Sequence, residues 1–297
     1  MSDLPVERFT VTSGPATLAC VRFGAGPPLV CVHALAFSKE YFVAAAAVLG
    51  RAFTCLAFDQ RGHGETVAPE DADALSPAAM AADIGAVLDA AGLASATVGG
   101  TSLGAATTLR FALAHPARVD LLIQDLPAFG PGPQRDAAHS EAVAAALAAG
   151  DLDEGARRAA AGLLPGPARA LAATLRAQWQ PFPAAALGPK LAAAFRATAG
   201  WRVVDAWPGA LASLAVPTHV LGLAGDGGHP LAVAEAMART LPRARLWPRV
   251  PSLKPTDVAR QWVQVATAPR PGGGRAAGAA GACVARAVPR TMRRWDA

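Results

Sequence analysis

The sequence predicts an α/β fold, in which a mostly parallel sheet has helices on both faces and a helical lid is inserted between its halves. Three observations predict it. Short apolar runs alternate with helix-length segments as far as residue 130. From 131 to 205 the strand-like runs give way to Ala-rich helical segments, broken by Gly and Pro. The alternation resumes over 206–267, before a final segment of different composition at 268–297.

The predicted elements follow hydrophobic pattern and local start and stop signals. Pro28–Val32 is a continuous apolar run, as expected of a strand buried on both faces. Ser76 followed by Pro77 marks the start of a helix that stops at Gly92. The other predicted strands are 7–12, 17–23, 53–58, 94–100, 119–126, 217–223 and 245–250, and the other helices outside the lid are 39–49, 103–114, 230–241 and 256–265.

Composition limits the class of protein. No apolar run reaches the roughly 18 residues that span a bilayer, and the first residues are charged rather than apolar. The four cysteines have no paired spacing, which favours buried thiols in a reducing compartment. We therefore expect a soluble, cytoplasmic protein without a membrane partner.

The formal net charge of +5 is concentrated at the C-terminus. Residues 268–297 contain six arginines and one aspartate, so the other 267 residues balance at zero. This last segment is rich in Gly, Ala, Pro and Arg and has no periodic apolar face. We interpret it as a disordered basic tail rather than a nucleic-acid-binding arm.

The segment Gly100-Thr-Ser102-Leu-Gly104 has the spacing G-x-S-x-G, between a predicted strand and a predicted helix. A serine on such a sharp strand-to-helix turn needs neighbours almost without side chains, or strand and helix would collide. Ser102 is therefore the candidate nucleophile. The structural alternative is a Gly-rich turn whose serine only caps the following helix.

With three further segments, the chain resembles the α/β-hydrolase family over roughly residues 5–267. The segments, in the family's order, are His33-Ala-Leu35, Asp59-Gln-Arg-Gly-His-Gly64, the serine turn, and Gly225-Asp226-Gly-Gly-His229-Pro230. The resemblance implies that Ser102 is a nucleophile that forms an acyl intermediate. It also implies an oxyanion hole made by the backbone N–H groups of Leu35 and Leu103.

The resemblance implies a triad acid at Asp226, which closes a predicted strand four residues before Pro230. Asp125, at the end of the preceding strand, is the alternative, since some relatives place the acid there. For either aspartate, the structural reading is a strand-end residue making a turn or cap bond. The chain departs from the family at Ala34, where a glycine is usual. Because alanine restricts the backbone more than glycine does, the sequence does not fix the geometry of the oxyanion hole.

A larger departure concerns the base. The family's histidine follows the last strand, but the segment 250–257 contains none, and no histidine follows His229. His229 is in a loop expected to open onto the site, and it is the candidate base; alternatively, it is a turn histidine before Pro230. Lys254 lies near the missing position, but a lysine needs strong desolvation to serve as a base. The remaining histidines are placed in other loops, a helix end, the lid and a strand: His33, His63, His115, His139 and His219.

These inferences predict a cofactor-independent hydrolase, without a metal, acting on a small, fairly apolar ester, lactone or related carbonyl compound. Two alternatives remain: a non-hydrolytic enzyme such as a cyclase, lyase or dehydratase, and an inactive ligand-binding pseudoenzyme. The expected partner is a small-molecule substrate, and self-association is left open. The lid's aromatic residues either line an apolar pocket or pack the lid onto the core: Trp179, Phe182, Phe195, Trp201 and Trp207.

Overall fold

A computed structural model describes residues 4–128, 137–161, 168–199, 201 and 208–272. Eight strands form one sheet in the order β1-β2-β4-β3-β5-β6-β7-β8. Strand β2 is antiparallel to β1 and β4, and every other neighbouring pair is parallel. The mostly parallel sheet predicted from the sequence is therefore confirmed. The strands are β1 Val6–Ser13, β2 Ala16–Phe23, β3 Pro28–Val32, β4 Thr54–Phe58, β5 Ala96–Thr101, β6 Val119–Asp125, β7 Thr218–Gly222 and β8 Ala244–Pro248.

Helices cover both faces of the sheet. On strand β3, Val30 and Val32 belong to one apolar cluster, which includes α3, α4 and α10, whereas Leu29 and Cys31 belong to another, which includes α1, α2 and α11. This alternation follows from the two-residue period of a strand. The described helices are α1 Glu40–Val43, α2 Ala46–Leu49, α3 Pro77–Ala90, α4 Leu103–Ala114, α5 Ala137–Ala148, α6 Leu152–Ala160, α7 Ala168–Trp179, α8 Ala184–Ala199, α9 Gly209–Ala212, α10 Leu231–Thr240 and α11 Pro255–Thr267.

The helix predicted over 39–49 is wrong in its continuity, because α1 and α2 are separate. At Ala45 the N–H bonds to Phe42 O, three residues back, and the backbone leaves the helical region with φ −105° and ψ 6°. The tightened turn interrupts the regular i to i−4 ladder. Hydrophobic spacing could not show this break, since Phe42, Ala46 and Leu49 still share a buried face.

Helices α5 to α8 lie between β6 and β7, within the segment predicted to be a lid. Trp179 fastens this region to the core, since its indole Nε1 donates to Ala36 O at 2.7 Å. Lys190 Nζ donates to Thr66 O at 2.9 Å. Helices α7 and α8 are therefore held to the loops that follow β3 and β4. Trp201 is buried in the apolar cluster that includes α3, α4 and α10, and Phe182 packs against that cluster. Trp207 lies outside the described residues.

Two further observations complete the fold. Across the described ranges, no helix has the length and apolar character needed to cross a bilayer. Residues 273–297, which make up most of the predicted basic tail, lie outside the described residues. The assignment of the tail, like the treatment of the lid as a separate unit, stays a prediction.

Candidate active site

Ser102 lies at the junction of β5 and α4 with a backbone of φ +54° and ψ −109°. A positive φ is costly for a residue with a side chain, and such conformations concentrate at functional sites. The Ser102 N–H donates to Asp125 O at 2.9 Å, which ties the turn to the end of β6. The Ser102 side chain makes no capping bond to α4, so the structural alternative of a cap is wrong.

The two glycines of the turn occupy positions where a Cβ atom would collide with backbone. A Cβ on Gly100 would lie 2.1 Å from Gly104 O, and a Cβ on Gly104 would lie 2.1 Å from Val32 O. Real Cβ contacts are never this short, and the partners are backbone atoms that cannot rotate away. The steric reason inferred from the sequence therefore matches the observed geometry.

Ser102, His229 and Asp226 form a continuous hydrogen-bonded chain. Ser102 Oγ is 2.8 Å from His229 Nε2, and His229 Nδ1 is 2.9 Å from Asp226 Oδ2. All three side chains are buried. In the neutral imidazole, Nδ1–H donates to the carboxylate and Nε2 accepts from the serine hydroxyl, a tautomer assigned from the hydrogen bonds.

Asp226 also shapes the turn that presents the histidine. Its Oδ1 accepts the backbone N–H of Gly228 at 2.9 Å and that of His229 at 3.0 Å. Gly225, with φ +78°, turns the chain at the start of the segment. One carboxylate thus closes the loop with one oxygen and orients the imidazole with the other, which explains how two residues only three apart can pair.

Two backbone donors near Ser102 are available for an oxyanion. Leu103 is the first residue of α4, and Leu35 lies in the loop after β3. Neither N–H has a hydrogen-bond acceptor within the part of the chain that the structure describes. The N-terminus of α4 adds a favourable dipole for negative charge at this position.

His33 and His63 hold the loop that carries Leu35. His33 Nε2 accepts from the Gln60 N–H at 2.9 Å, and His63 Nε2 accepts from the Ala36 N–H at 3.1 Å. Burial lowers the pKa of His33 to about 4 and the pKa of His63 to about 3. Both rings therefore act as neutral structural acceptors near neutral pH.

Ala34 does not distort this loop. The residue with a left-handed backbone is Ala36, with φ +67°, and Ala34 has no positive φ. The Ala34 carbonyl accepts a bond of 2.8 Å from His33 Nδ1. The methyl group at the position where relatives usually have glycine is thus accommodated without backbone strain.

Asp125, the alternative acid, has other partners. Its carboxylate accepts bonds from Thr101 Oγ1 at 3.0 Å, Trp262 Nε1 at 3.2 Å and Arg249 Nε at 3.2 Å. The structure gives this carboxylate no histidine among its described partners. Lys254 is exposed at the start of α11 and does not line the cavity described below.

Arg249 is the residue that sequence reasoning missed. It follows β8 directly, just before the segment 250–257 in which the resemblance implies the histidine, and its side chain is 2 % exposed. A charged residue at the carboxyl end of a parallel strand was a usable signal, because ligands of α/β sheets bind at that edge.

The remaining histidines lie apart from the chain of Ser102. His115 ends α4, and His139 lies on α5. His219 is buried on β7, where its Nδ1 accepts from Trp247 Nε1 at 2.9 Å. The contact of His219 with Trp247 indicates a structural role for this ring.

A cavity of about 80 Å³ opens beside Ser102 and His229. One water needs roughly 10–15 Å³ measured this way, so a small organic group fits. Phe195 of α8 lines it, whereas Trp179 of α7 does not. The lining is mainly apolar, with Leu35, Phe37, Tyr41, Phe42, Leu126, Ala159, Leu171, Leu175, Phe195 and Leu253 around the polar groups of Thr101, Ser102, His229 and Arg249. In the described ranges, no group of three or more His, Cys, Asp or Glu side chains is placed to hold a metal ion.

Comparison with protein families gives one match that covers most of the chain. The family model described as alpha/beta hydrolase fold matches residues 27–251. The chain belongs to the α/β-hydrolase family. This membership agrees with the strand order, and two of the three proteins compared below are named as hydrolases.

One curated relative of this α/β hydrolase, from Escherichia coli O9:H4 (strain HS), carries the name of a carbamate hydrolase, RutD. It is 37% identical over 98 residues, which is 33% of this chain and 36% of the relative. The chain thus spans about a third of the length of the curated relatives that it matches.

Solved structures are similar over nearly the whole fold. A hydrolase from Pseudomonas aeruginosa PA01 is 25% identical, with a TM-score of 0.69, over 89% of this chain and 97% of its own. The enol-lactonase from Burkholderia xenovorans LB400 is 17% identical, with a TM-score of 0.70, over 86% of this chain and 97% of its own. At 17% identity, the second likeness supports the fold alone.

Proposed function

We propose that this α/β hydrolase cleaves a small, fairly apolar ester, lactone or related carbonyl compound, with Ser102 as the nucleophile. The observation that carries the proposal is the hydrogen-bonded chain from Ser102 Oγ through His229 to Asp226, at the wall of an apolar cavity. The curated relative that bears the name of a carbamate hydrolase supports hydrolysis at a carbonyl carbon.

The proposed reaction begins when Ser102 Oγ attacks the carbonyl carbon and His229 Nε2 takes the hydroxyl proton. Asp226 stabilises the imidazolium through His229 Nδ1–H. The negative charge on the former carbonyl oxygen is met by the N–H groups of Leu35 and Leu103, each worth about 3–4 kcal/mol by comparison with other oxyanion holes.

In the second half of the reaction, the tetrahedral intermediate collapses to an acyl-Ser102 ester. His229 returns its proton to the leaving oxygen, so that an alcohol departs or, for a lactone, the ring opens. Water is then activated by the same imidazole and attacks the acyl carbon. The acid is released and the Ser102 hydroxyl is restored.

The non-hydrolytic and pseudoenzyme alternatives depended on the absence of a base. With His229 Nε2 at 2.8 Å from Ser102 Oγ, that ground no longer holds. No other described contact favours either alternative over hydrolysis.

The test is Ser102→Ala, assayed with p-nitrophenyl butyrate and with a fluorophosphonate that labels activated serines. We expect labelling of the wild type at Ser102, no labelling of the variant, and a loss of kcat/KM of about 10⁴–10⁶-fold. Ser213→Ala, at an exposed serine that ends α9, is the matched control and should keep both properties. Equal hydrolysis by wild type and Ser102→Ala would refute the covalent mechanism.

A further inference from the structure

Arg249 brings a buried positive charge to the wall of the cavity that holds Ser102 and His229. Taking a guanidinium out of water is costly unless its donors find acceptors. Its position is not needed by the proposed reaction, in which His229 supplies the base. The hydrogen bonds of Arg249 therefore show which of its N–H donors remain for a ligand.

An arginine has five N–H donors. Its Nε–H donates to Asp125 Oδ1 at 3.2 Å, and Nη1 donates to Val250 O at 2.7 Å and Ser252 O at 2.5 Å. No described residue accepts a bond from Nη2. Nη2 is not completely enclosed by protein atoms, so some open space lies beside it. The cavity is the open space that this side chain lines.

The charge of Arg249 is already compensated. Asp125 pairs with it in a site where both side chains are almost fully buried, and Asp226 adds a second carboxylate next to His229. A substrate carboxylate would therefore meet no uncompensated positive charge and would lose its hydration. A neutral oxygen acceptor has no such cost, and it would satisfy a donor of Nη2.

The position of this donor is fixed relative to the nucleophile. Thr101 precedes Ser102 in the chain, its Oγ1 donates to Asp125, and Asp125 accepts from Arg249 Nε. The guanidinium and the serine are thus attached to neighbouring strand ends through two hydrogen bonds. Ser102 and Arg249 line the same cavity.

We propose that Arg249 Nη2 is a substrate-binding donor for an uncharged oxygen, so the preferred substrates are neutral esters or lactones with a second oxygen close to the scissile carbonyl. This inference rests on the proposed function, since it names the substrate class of the same site. It separates such compounds both from hydrocarbon esters and from esters that carry a carboxylate.

The first arm of the test uses p-nitrophenyl methoxyacetate and p-nitrophenyl butyrate, which differ by one oxygen in place of a methylene. Arg249→Lys keeps a positive charge for Asp125 but removes the planar second donor. We expect the preference for methoxyacetate, as a ratio of kcat/KM values, to be at least about tenfold lower in the variant. Damage to the fold would lower both rates and leave the ratio unchanged.

The second arm does not need hydrolysis. Binding of 2-methoxy-N-phenylacetamide and N-phenylbutanamide to Ser102→Ala protein is measured by calorimetry, and again after adding Arg249→Lys. We expect the methoxy compound to bind about tenfold more tightly only when Arg249 is present. If Arg249→Lys does not fold, Asp125→Asn with Arg249→Gln removes both charges and takes its place.

The outcomes separate the two proposals. If neither ester is cleaved but the amides still show the Arg249-dependent contrast, hydrolysis fails and the binding inference stands. If both esters are cleaved and neither ratio depends on Arg249, the inference is overturned while the proposed function stands. Faster cleavage of p-nitrophenyl hemisuccinate than of methoxyacetate would also overturn it, because Arg249 would then bind a carboxylate.

Discussion

The loops that follow β7 and β8 begin at the same edge of the sheet but contain different functional groups. The β7 loop holds Asp226 and His229, hydrogen-bonded to each other and to Ser102. The β8 loop holds Arg249, paired with Asp125. The resemblance implied a histidine in the β8 loop. Because the carboxyl ends of neighbouring parallel strands lie together, an imidazole can reach the serine from either loop.

Each loop is closed by its own charged side chain. Asp226 Oδ1 accepts two backbone N–H groups of the β7 loop, and Arg249 Nη1 donates to two carbonyls of the β8 loop. The carboxylate binds the imidazole through its second oxygen, whereas no described residue accepts a bond from Nη2 of the guanidinium. The comparison teaches that a candidate for the catalytic histidine is found by its contacts rather than by its place in the chain.

The strongest test of this comparison is His229→Ala. We expect kcat/KM for p-nitrophenyl butyrate to fall about 10³–10⁴-fold, because no other described base contacts Ser102 Oγ. His139→Ala, on lid helix α5, is the matched control and should stay within twofold of wild type. A loss smaller than tenfold at His229 would show that the β7 loop does not supply the base.

The two aspartates give the next contrast. Asp226→Asn keeps an oxygen for the loop but presents an amide to His229 Nδ1, which favours the wrong tautomer; we expect kcat to fall about 10³-fold. Asp125→Asn removes the partner of a buried arginine; we expect the free energy of unfolding to drop by about 3 kcal/mol. Kinetics and urea denaturation measure the two effects. A larger loss of kcat at Asp125 than at Asp226 would place the acid after β6.

A third test addresses the two structural histidines, His33 and His63, through the pH dependence of stability. Burial lowers the pKa of His33 to about 4 and that of His63 to about 3, against about 6.5 in an unfolded chain. At a pH between the folded and the unfolded pKa of each ring, the unfolded chain binds more protons than the folded protein. The stability that comes from these neutral rings is therefore fully present above pH 6.5 and is lost as the pH falls.

From pH 7 to pH 5, each of these two histidines should cost about 2 kcal/mol of unfolding free energy. Urea denaturation at the two pH values measures the change. Equal stability at pH 5 and pH 7 would contradict neutral, buried rings at positions 33 and 63.

The smallest effect is expected for Lys254→His. Position 254 is exposed at the start of α11 and does not line the cavity, so a new imidazole there has no contact with Ser102. We expect kcat/KM to change less than about twofold, in the wild-type background and in His229→Ala alike. A tenfold recovery of activity in His229→Ala/Lys254→His would mean that the β8 loop remains able to supply the base.

Local sequence was sufficient where local physics decides the structure. Helix α4 begins and ends at the predicted residues because the glycine-flanked serine turn starts it, and β3 matches its apolar run. Ser102 could be singled out from the spacing of the turn, whereas Asp226 was implied by the family resemblance. The pairing of His229 with both depended on the path of the β7 loop, and the role of Arg249 depended on the direction of a side chain. Hydrophobic periodicity predicts neither the path of that loop nor the direction of that side chain.

The short separation of Asp226 and His229 has a consequence for motion. Where an acid and a base come from separate loops, independent fluctuations of those loops change the distance between them. Here one turn of four residues sets both, so a displacement of the end of β7 carries carboxylate and imidazole together. Their mutual bond of 2.9 Å is preserved, and only the approach of the pair to the serine hydroxyl varies. The orientation of the ring relative to the carboxylate therefore does not depend on the positions of the other loops.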